Sequence, residues 1–157
     1  MAIIHFSVTI EAPQEKVWEL ISNAKETEFW SPNIRDLIHE PAGPVQVGTI
    51  RKVRLEVNEK IQTLQTEVTH CDAPNFFTEI PRGITADWQK KVKGVQVTYR
   101  LEAEDGERTT LLFTGKYEPV GLMGILLSKT IGEGMIRTTL KQNLERLKTY
   151  AETGRSV

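Results

Sequence analysis

The order of two periodicities constrains this chain more than any other feature. A strand-like alternation opens it, and a proline-started helical stretch follows, ending at the turn Trp30-Ser31-Pro32-Asn33. About six further strand-like segments run on before a single long helical pattern closes the chain. A sheet must bury one face, and here one long helix is available to cover it. A curved antiparallel sheet wrapped on one helix encloses space as readily as it fills it. The order of elements therefore points to the holding of a small apolar molecule, while the function has to be argued from a site.

The individual segments read as follows. Ile4, Phe6, Val8 and Ile10 alternate with His5, Ser7, Thr9 and Glu11, which predicts a half-buried strand. Pro13 suits the first turn of a helix, where its missing N–H is not needed. Val17, Trp18, Leu20, Ile21 and Ala24 give that helix an apolar side as far as about Asn23. Glu26 to Trp30 reads as one more helical turn, ended because a residue before proline is pushed out of the helical region. Ile34 to Glu40 reads as a strand, broken at Pro41-Ala42-Gly43-Pro44. Val53, Leu55 and Val57 alternate with Lys52, Arg54 and Glu56, and Leu64, Thr66 and Val68 carry the pattern past a turn at Asn58-Glu59. Phe76 to Ile80 is a short β-prone run between Asp72-Ala73-Pro74-Asn75 and Pro81-Arg82-Gly83. Val95, Val97, Tyr99, Leu101 and Ala103, then Leu111, Phe113, Gly115 and Tyr117, flank Glu104-Asp105-Gly106-Glu107 and predict a hairpin. Finally Ile136, Leu140, Leu144, Leu147 and Ala151 fall at helical spacing, and Lys141 and Glu145 stand i,i+4 on the polar side.

Composition narrows the function classes. A chain of 157 residues is most simply one domain, residues 1–157, and 39% hydrophobic residues suffice for a core. A net charge of −1 recruits neither nucleic acid nor an anionic membrane. The aromatic residues are not interleaved with Arg and Lys as a single-strand platform requires. The lone cysteine, Cys71, allows no internal disulfide and reads as a small packed residue. The first residues carry no basic, apolar leader pattern, and no stretch approaches the ~18 apolar residues of a membrane span. A cytoplasmic protein without stable membrane insertion is expected, either monomer or homodimer.

Three stretches resemble a known family: "FSVTIEAPQEKVWELISN" at 6–23, "FWSPNIRDL" at 29–37 and "VGTIRKVRL" at 47–55, completed by "LKQNLERLKTYAE" at 140–152. With them the chain resembles the START-like, helix-grip superfamily of birch-pollen-allergen-type proteins. Within it the nearest likeness is to the polyketide cyclase/dehydrase and lipid-transport group, including coenzyme-Q-binding-like members. The resemblance implies an α+β fold, with about seven antiparallel strands wrapped around the C-terminal helix and two short helices after the first strand. It also implies an apolar cavity between sheet and helix. The function expected is binding or transport of a lipid, an isoprenoid or quinone, or a polyketide-like molecule, with no cofactor. The alternative is a metal-free cyclase or dehydratase acting on an aromatic or polyketide substrate.

If the sheet wraps the helix, the inward residues sort into two sets. Ile4, Phe6, Val8, Leu140, Leu144 and Leu147 are expected in solid core. Val53, Leu55, Leu64, Val97, Tyr99, Leu101 and Phe113 are expected to line the cavity, with Tyr99 as the polar candidate, since a buried hydroxyl needs a partner. Family likeness places Trp30 near the cavity mouth, although a role stapling the short helix to the sheet is equally open. Trp88, in the polar connection Arg82 to Lys93, reads as a lid or a surface residue. Met123 and Leu127, in the almost wholly apolar run from Gly121 to Leu127, and Met135 complete the expected lining. Gly121, Gly124, Gly132 and Gly134 make that region a candidate gate, while close packing or a partner contact also accounts for it. Catalysis has thinner support. His5 points outward by alternation, and His39 lies near a strand end. His70 shares the parity of Leu64, Thr66 and Val68, which makes it, with Tyr99, the least poor acid–base candidate. The three scattered histidines form no metal-ligand pattern.

Overall fold

Alternation of apolar and polar residues along the chain produces one antiparallel sheet whose inner face meets the C-terminal helix. The computed structural model describes residues 1–57, 59–83, 92–121 and 132–155. Strand β1 (Ala2–Ile10) leads into helices α1 (Gln14–Ser22) and α2 (Ala24–Trp30). Strands β2 (Ile34–Glu40), β3 (Ile50–Val57), β4 (Lys60–Asp72), β5 (Phe76–Pro81), β6 (Val92–Asp105) and β7 (Arg108–Pro119) follow, and α3 (Gly132–Thr153) closes the chain. The seven strands lie in the order β1-β7-β6-β5-β4-β3-β2, every neighbouring pair antiparallel. This is the helix-grip arrangement expected from the sequence.

Local chemistry sets the helix boundaries. Pro13 stands just before α1 in extended backbone. Asn23 then serves two helices: its N–H donates to the Glu19 carbonyl at the end of α1, and its Oδ1 accepts from the Lys25 N–H at the start of α2. Ser31, ahead of Pro32, ends α2 in extended backbone.

Register decides which side chains share a face. Phe77, Tyr99, Phe113 and Phe6 stand opposite one another across β5, β6, β7 and β1, and their rings turn inward. Thr78 and Thr98 stand opposite on the other face and share a 2.9 Å hydrogen bond between hydroxyls. The far end of α3 docks on the inner face through Leu144, Leu147 and Ala151, which are buried with Ile10, Val17, Ile21, Val68, Phe77 and Leu111. Trp18 meets Phe77 edge-on, with ring centroids 5.9 Å apart. Polar bonds tie the same end down. The Glu11 N–H donates to Glu152 Oε2 at 2.8 Å, and Lys148 Nζ donates to the Thr9 carbonyl at 2.8 Å.

Burial along the inner face is graded. Around Leu111, Leu147, Phe77 and Val68 it is complete, with each residue 0% exposed. Toward β3, the near end of β4 and the middle of β6, the inward residues Val53, Leu55, Leu64, Val97 and Tyr99 are only half-buried. Leu147→Ala is therefore expected to lower the unfolding free energy by about 2–5 kcal/mol, and Leu64→Ala by less than half as much. Urea denaturation of the two variants measures this. Equal losses would mean that the inner face is packed uniformly.

Candidate functional site

Apolar residues do not fill the inner face alone. His39 on β2, Arg51 on β3 and Thr66 on β4 stand in register across neighbouring strands. Glu79 on β5 stands opposite Val68 and Val97, and Tyr99 on β6 stands opposite Phe77. Strand pairing alone thus brings five polar groups from five successive strands onto one concave surface.

Arg51 and Glu79 are the centre of this group. Arg51 is 8% exposed and Glu79 9%. Arg51 Nη1 donates to Glu79 Oε2 at 2.6 Å, and Thr66 Oγ1 donates to the same oxygen at 3.1 Å. The guanidinium also lies over the Phe77 ring, 5.4 Å from its centroid. Burial by itself would lower the Arg51 pKa, but the Glu79 carboxylate and then Tyr99 more than offset it, and the net shift is upward. Arg51 is therefore a permanent cation, and the pair as a whole carries no net charge.

His39 completes the arrangement as a neutral imidazole. Arg51 Nε can only donate, and it points at His39 Nε2 at 3.2 Å, so that nitrogen holds a lone pair. The proton sits on Nδ1, which donates to the Gly43 carbonyl at 2.8 Å. Burial is the main cause that depresses the His39 pKa. The Gly43 hydrogen bond opposes it, the Arg51 charge reinforces it, and Glu79 opposes it more weakly. Tyr99 stacks on Phe77 with ring centroids 5.0 Å apart and meets Phe113 edge-on at 5.3 Å. Burial and then the nearby Glu79 push its phenol far above the usual tyrosine range, and Arg51 offsets this in part. It is a neutral hydrogen-bonding group at any ordinary pH.

A gap opens beside this cluster. Strand β5 pairs with β6 only from Phe76↔Arg100 to Glu79↔Val97. Beyond Glu79, β5 keeps its bonds to β4, and β6 keeps its own to β7 past a bulge between Lys93 and Gln96. Gly94, at φ +62°, supplies the left-handed residue of that bulge. A recess of about 430 Å³ lies between the diverging ends, lined by Ile80, Pro81, Gly83, Val92, Lys93, Gly94, Val95 and Gln96.

Residues 1–152 match the family described as polyketide cyclase/dehydrase and lipid transport. The chain belongs to that family. No curated protein matches it in sequence. Among solved structures it is similar to Ara h 8.0201, with TM-score 0.72 at 16% identity, covering 96% of this chain and 97% of that one. It is also similar to major latex-like protein 151 of Panax ginseng, with TM-score 0.71 at 11% identity and the same two coverages of 96% and 97%. A third likeness is to the Aha1 dimer of Colwellia psychrerythraea, with TM-score 0.70 at 18% identity and 98% of both chains covered. At these identities the likeness establishes the fold.

Within this family member, the residues expected to form a site fall into four groups. Val53, Leu55, Leu64, Val97 and Tyr99 share the concave face around the ion pair. Leu101 and Phe113 lie on the same face, buried in the core cluster. Trp30 is buried, and its Nε1 donates to the Leu20 carbonyl at 2.9 Å, which ties α2 back to α1. Trp88, Met123 and Leu127 lie outside the described residues, as does the side chain of Met135. Of the run from Gly121 to Leu127 only Gly121 is described, and of the connection from Arg82 to Lys93 only residues 82–83 and 92–93.

The pairing of His70 with Tyr99 does not form. A bulge between Val68 and His70 adds one residue to β4, so His70 stands opposite Thr78 on the convex face and is exposed. The same bulge turns Cys71 inward, half-buried, with Sγ 3.5 Å from the Val45 carbonyl. Burial and then Asp72 push its thiol pKa up, away from nucleophilic use. No group of three His, Cys, Asp or Glu residues that could hold a metal occurs among the described residues, and no described helix is long and apolar enough to cross a membrane.

Sequence reasoning missed Arg51, Glu79 and His39. A signal was present: each stands two residues from an inward apolar position, namely Val53, Phe77 and Leu37. Arg51→Met should destabilise the protein by about 3–5 kcal/mol, because it strands the Glu79 carboxylate. Arg51→Met combined with Glu79→Leu should restore most of that loss. Denaturant midpoints check both, and a double variant as unstable as the single one would contradict the pairing. His39 gives a separate pH signature. Its folded-state pKa is below the unfolded value of about 6.5, so the unfolded chain takes up the proton first. Stability should fall as pH drops below about 6.5, and the decline should level off below the folded-state pKa. His39→Gln should show a smaller decline between pH 7.5 and 5.5, and an unchanged decline would place the effect elsewhere.

Proposed function

We propose that this protein holds one hydrophobic small molecule against the concave face of its sheet, beside the Arg51–Glu79 pair. The supporting observation is the grading of that face. One end of it is fully buried under α1 and α3, while Val53, Leu55, Leu64, Val97 and Tyr99 remain half-buried although they point inward. An apolar surface that points inward and is still incompletely covered is what an apolar ligand would cover. A few convergent polar groups amid apolar lining are the usual makeup of such a site. The family's own description joins cyclase, dehydrase and lipid-transport activities, which share an apolar substrate or cargo. On this reading residues 1–157 act as one ligand-binding domain, and the 430 Å³ recess beyond Glu79 is a path to the interior.

Carriage is favoured over catalysis by the state of the polar groups. Arg51 is a permanent cation, Tyr99 a permanent neutral phenol, and His39 already uses both ring nitrogens. None of the three is poised to exchange a proton near neutral pH.

Native mass spectrometry of the freshly purified protein, together with titration by the neutral dye Nile red, tests the proposal. The expected result is saturable 1:1 dye binding, with any co-purified apolar molecule displaced. Leu64→Trp should fill part of the space and weaken dye binding by about tenfold or more while the fold is retained. Unchanged affinity in a folded Leu64→Trp variant would overturn this placement of the ligand.

A further inference from the structure

We infer that the molecule held on the concave face carries a hydroxyl group, as a lipophilic alcohol or phenol, and that Arg51, Glu79 and Tyr99 recognise it. This rests on the ligand-site reading above and adds the chemistry of the ligand's polar end.

The inference begins with atoms left over. Arg51 gives Nε to His39 and Nη1 to Glu79, and among the described residues its Nη2 has no hydrogen-bond partner. Glu79 accepts from both Arg51 and Thr66 on Oε2, and its Oε1 accepts from none of the described residues. The Tyr99 hydroxyl likewise makes no bond to a described residue, although its ring is held between Phe77 and Phe113. Arg51 and Glu79 are both more than nine-tenths buried. Neither Arg51 Nη2 nor Glu79 Oε1 is among the fully enclosed unpaired side-chain atoms, so both still open onto accessible space, where a ligand group that donates to the carboxylate can take the place of water.

The kind of group follows from the donor and acceptor inventory. The site offers one acceptor, Glu79 Oε1, one charged donor, Arg51 Nη2, and one hydroxyl of either role, on Tyr99. A ligand hydroxyl satisfies Glu79 with its proton and Arg51 or Tyr99 with its lone pairs. A carbonyl or ester can only accept, and leaves Glu79 Oε1 unpaired. A carboxylate also only accepts, and sets a second negative charge beside Glu79. An amine brings a positive charge beside Arg51. Because Arg51 and Glu79 neutralise each other, no net charge remains to attract either ion. The rest of the ligand is apolar because the half-buried surfaces flanking the pair are Val97, Leu64 and Val53.

Displacement of Nile red from the full chain by three matched compounds tests this: 4-hexylphenol, hexylbenzene and, at pH 8, 4-hexylbenzoate. The expected result is that hexylphenol competes at least about tenfold more strongly than the other two. In the Arg51→Met/Glu79→Leu double variant the advantage over hexylbenzene should disappear while hexylbenzene itself still competes. Tyr99→Phe, which removes only an oxygen, should reduce the advantage about threefold or more and serves where the double variant is poorly folded. Equal competition by hexylphenol and hexylbenzene, or strongest competition by hexylbenzoate, would overturn the hydroxyl assignment and leave the apolar site standing. A preference for hexylphenol that survives in both variants would remove these residues as its source. Failure of the wild-type protein to bind Nile red or any of the three compounds would defeat the ligand site itself.

Discussion

Everything in this fold follows from a mismatch of coverage. Seven strands present one inner face, and α3 seats Leu144, Leu147 and Ala151 on its buried core. Apolar surface is stabilised in proportion to the area removed from water, so the helix sits against β1 and the two short helices, its Leu144, Leu147 and Ala151 in one buried cluster with Ile10, Leu111 and Phe77. The backbone of β1 and the side chains of Lys148 and Glu152 then hold it there. The other part of the inner face is left with half-covered aliphatic side chains and an ion pair. The proposed site is thus the remainder of a packing problem, and its position is set by where the helix is anchored.

The Arg51–Glu79 pair has to be weighed against what it displaces. Two apolar side chains of similar volume would serve the core at least as well, since desolvation of both ions offsets much of their attraction. Its supports are local and numerous: the Thr66 hydroxyl, the His39 imidazole and the face of Phe77. Such a network holds direction as well as charge. It presents donors and an acceptor from fixed positions on neighbouring strands, which a flexible surface pair such as Lys52–Glu40 cannot do.

Most of the fold was legible in the sequence because strand alternation is a strong signal when one face is buried. The β6–β7 hairpin, the strand containing Ile4 and Ile10, and the helix containing Leu144 and Leu147 all form where the pattern predicts them. The half-buried aliphatic lining was legible for the same reason. The polar centre was not. An arginine or glutamate within a strand is read as outward by residue type, although Arg51 shares the parity of Val53 and Glu79 that of Phe77. Parity outranked residue type here because each charge found its partner on a neighbouring strand. His70 failed in the opposite direction: its parity was inward, but a bulge shifted the register, and no residue in Val68-Thr69-His70 announces one.

That bulge has a consequence for comparing this chain with its relatives. At 11–18% identity an alignment has little besides strand length to hold it in place. A relative with a regular fourth strand has one residue fewer there, and an ungapped alignment that begins at Val68 places His70 in a column of inward side chains. The same alignment assigns Cys71 and Asp72 to the wrong faces. Correspondence beyond Val68 has to be counted backward from the pairing of Cys71 with Phe77, so that the gap falls at Thr69. Any transfer of ligand contacts between members of this fold is sound on one side of that residue and reversed on the other until the gap is placed.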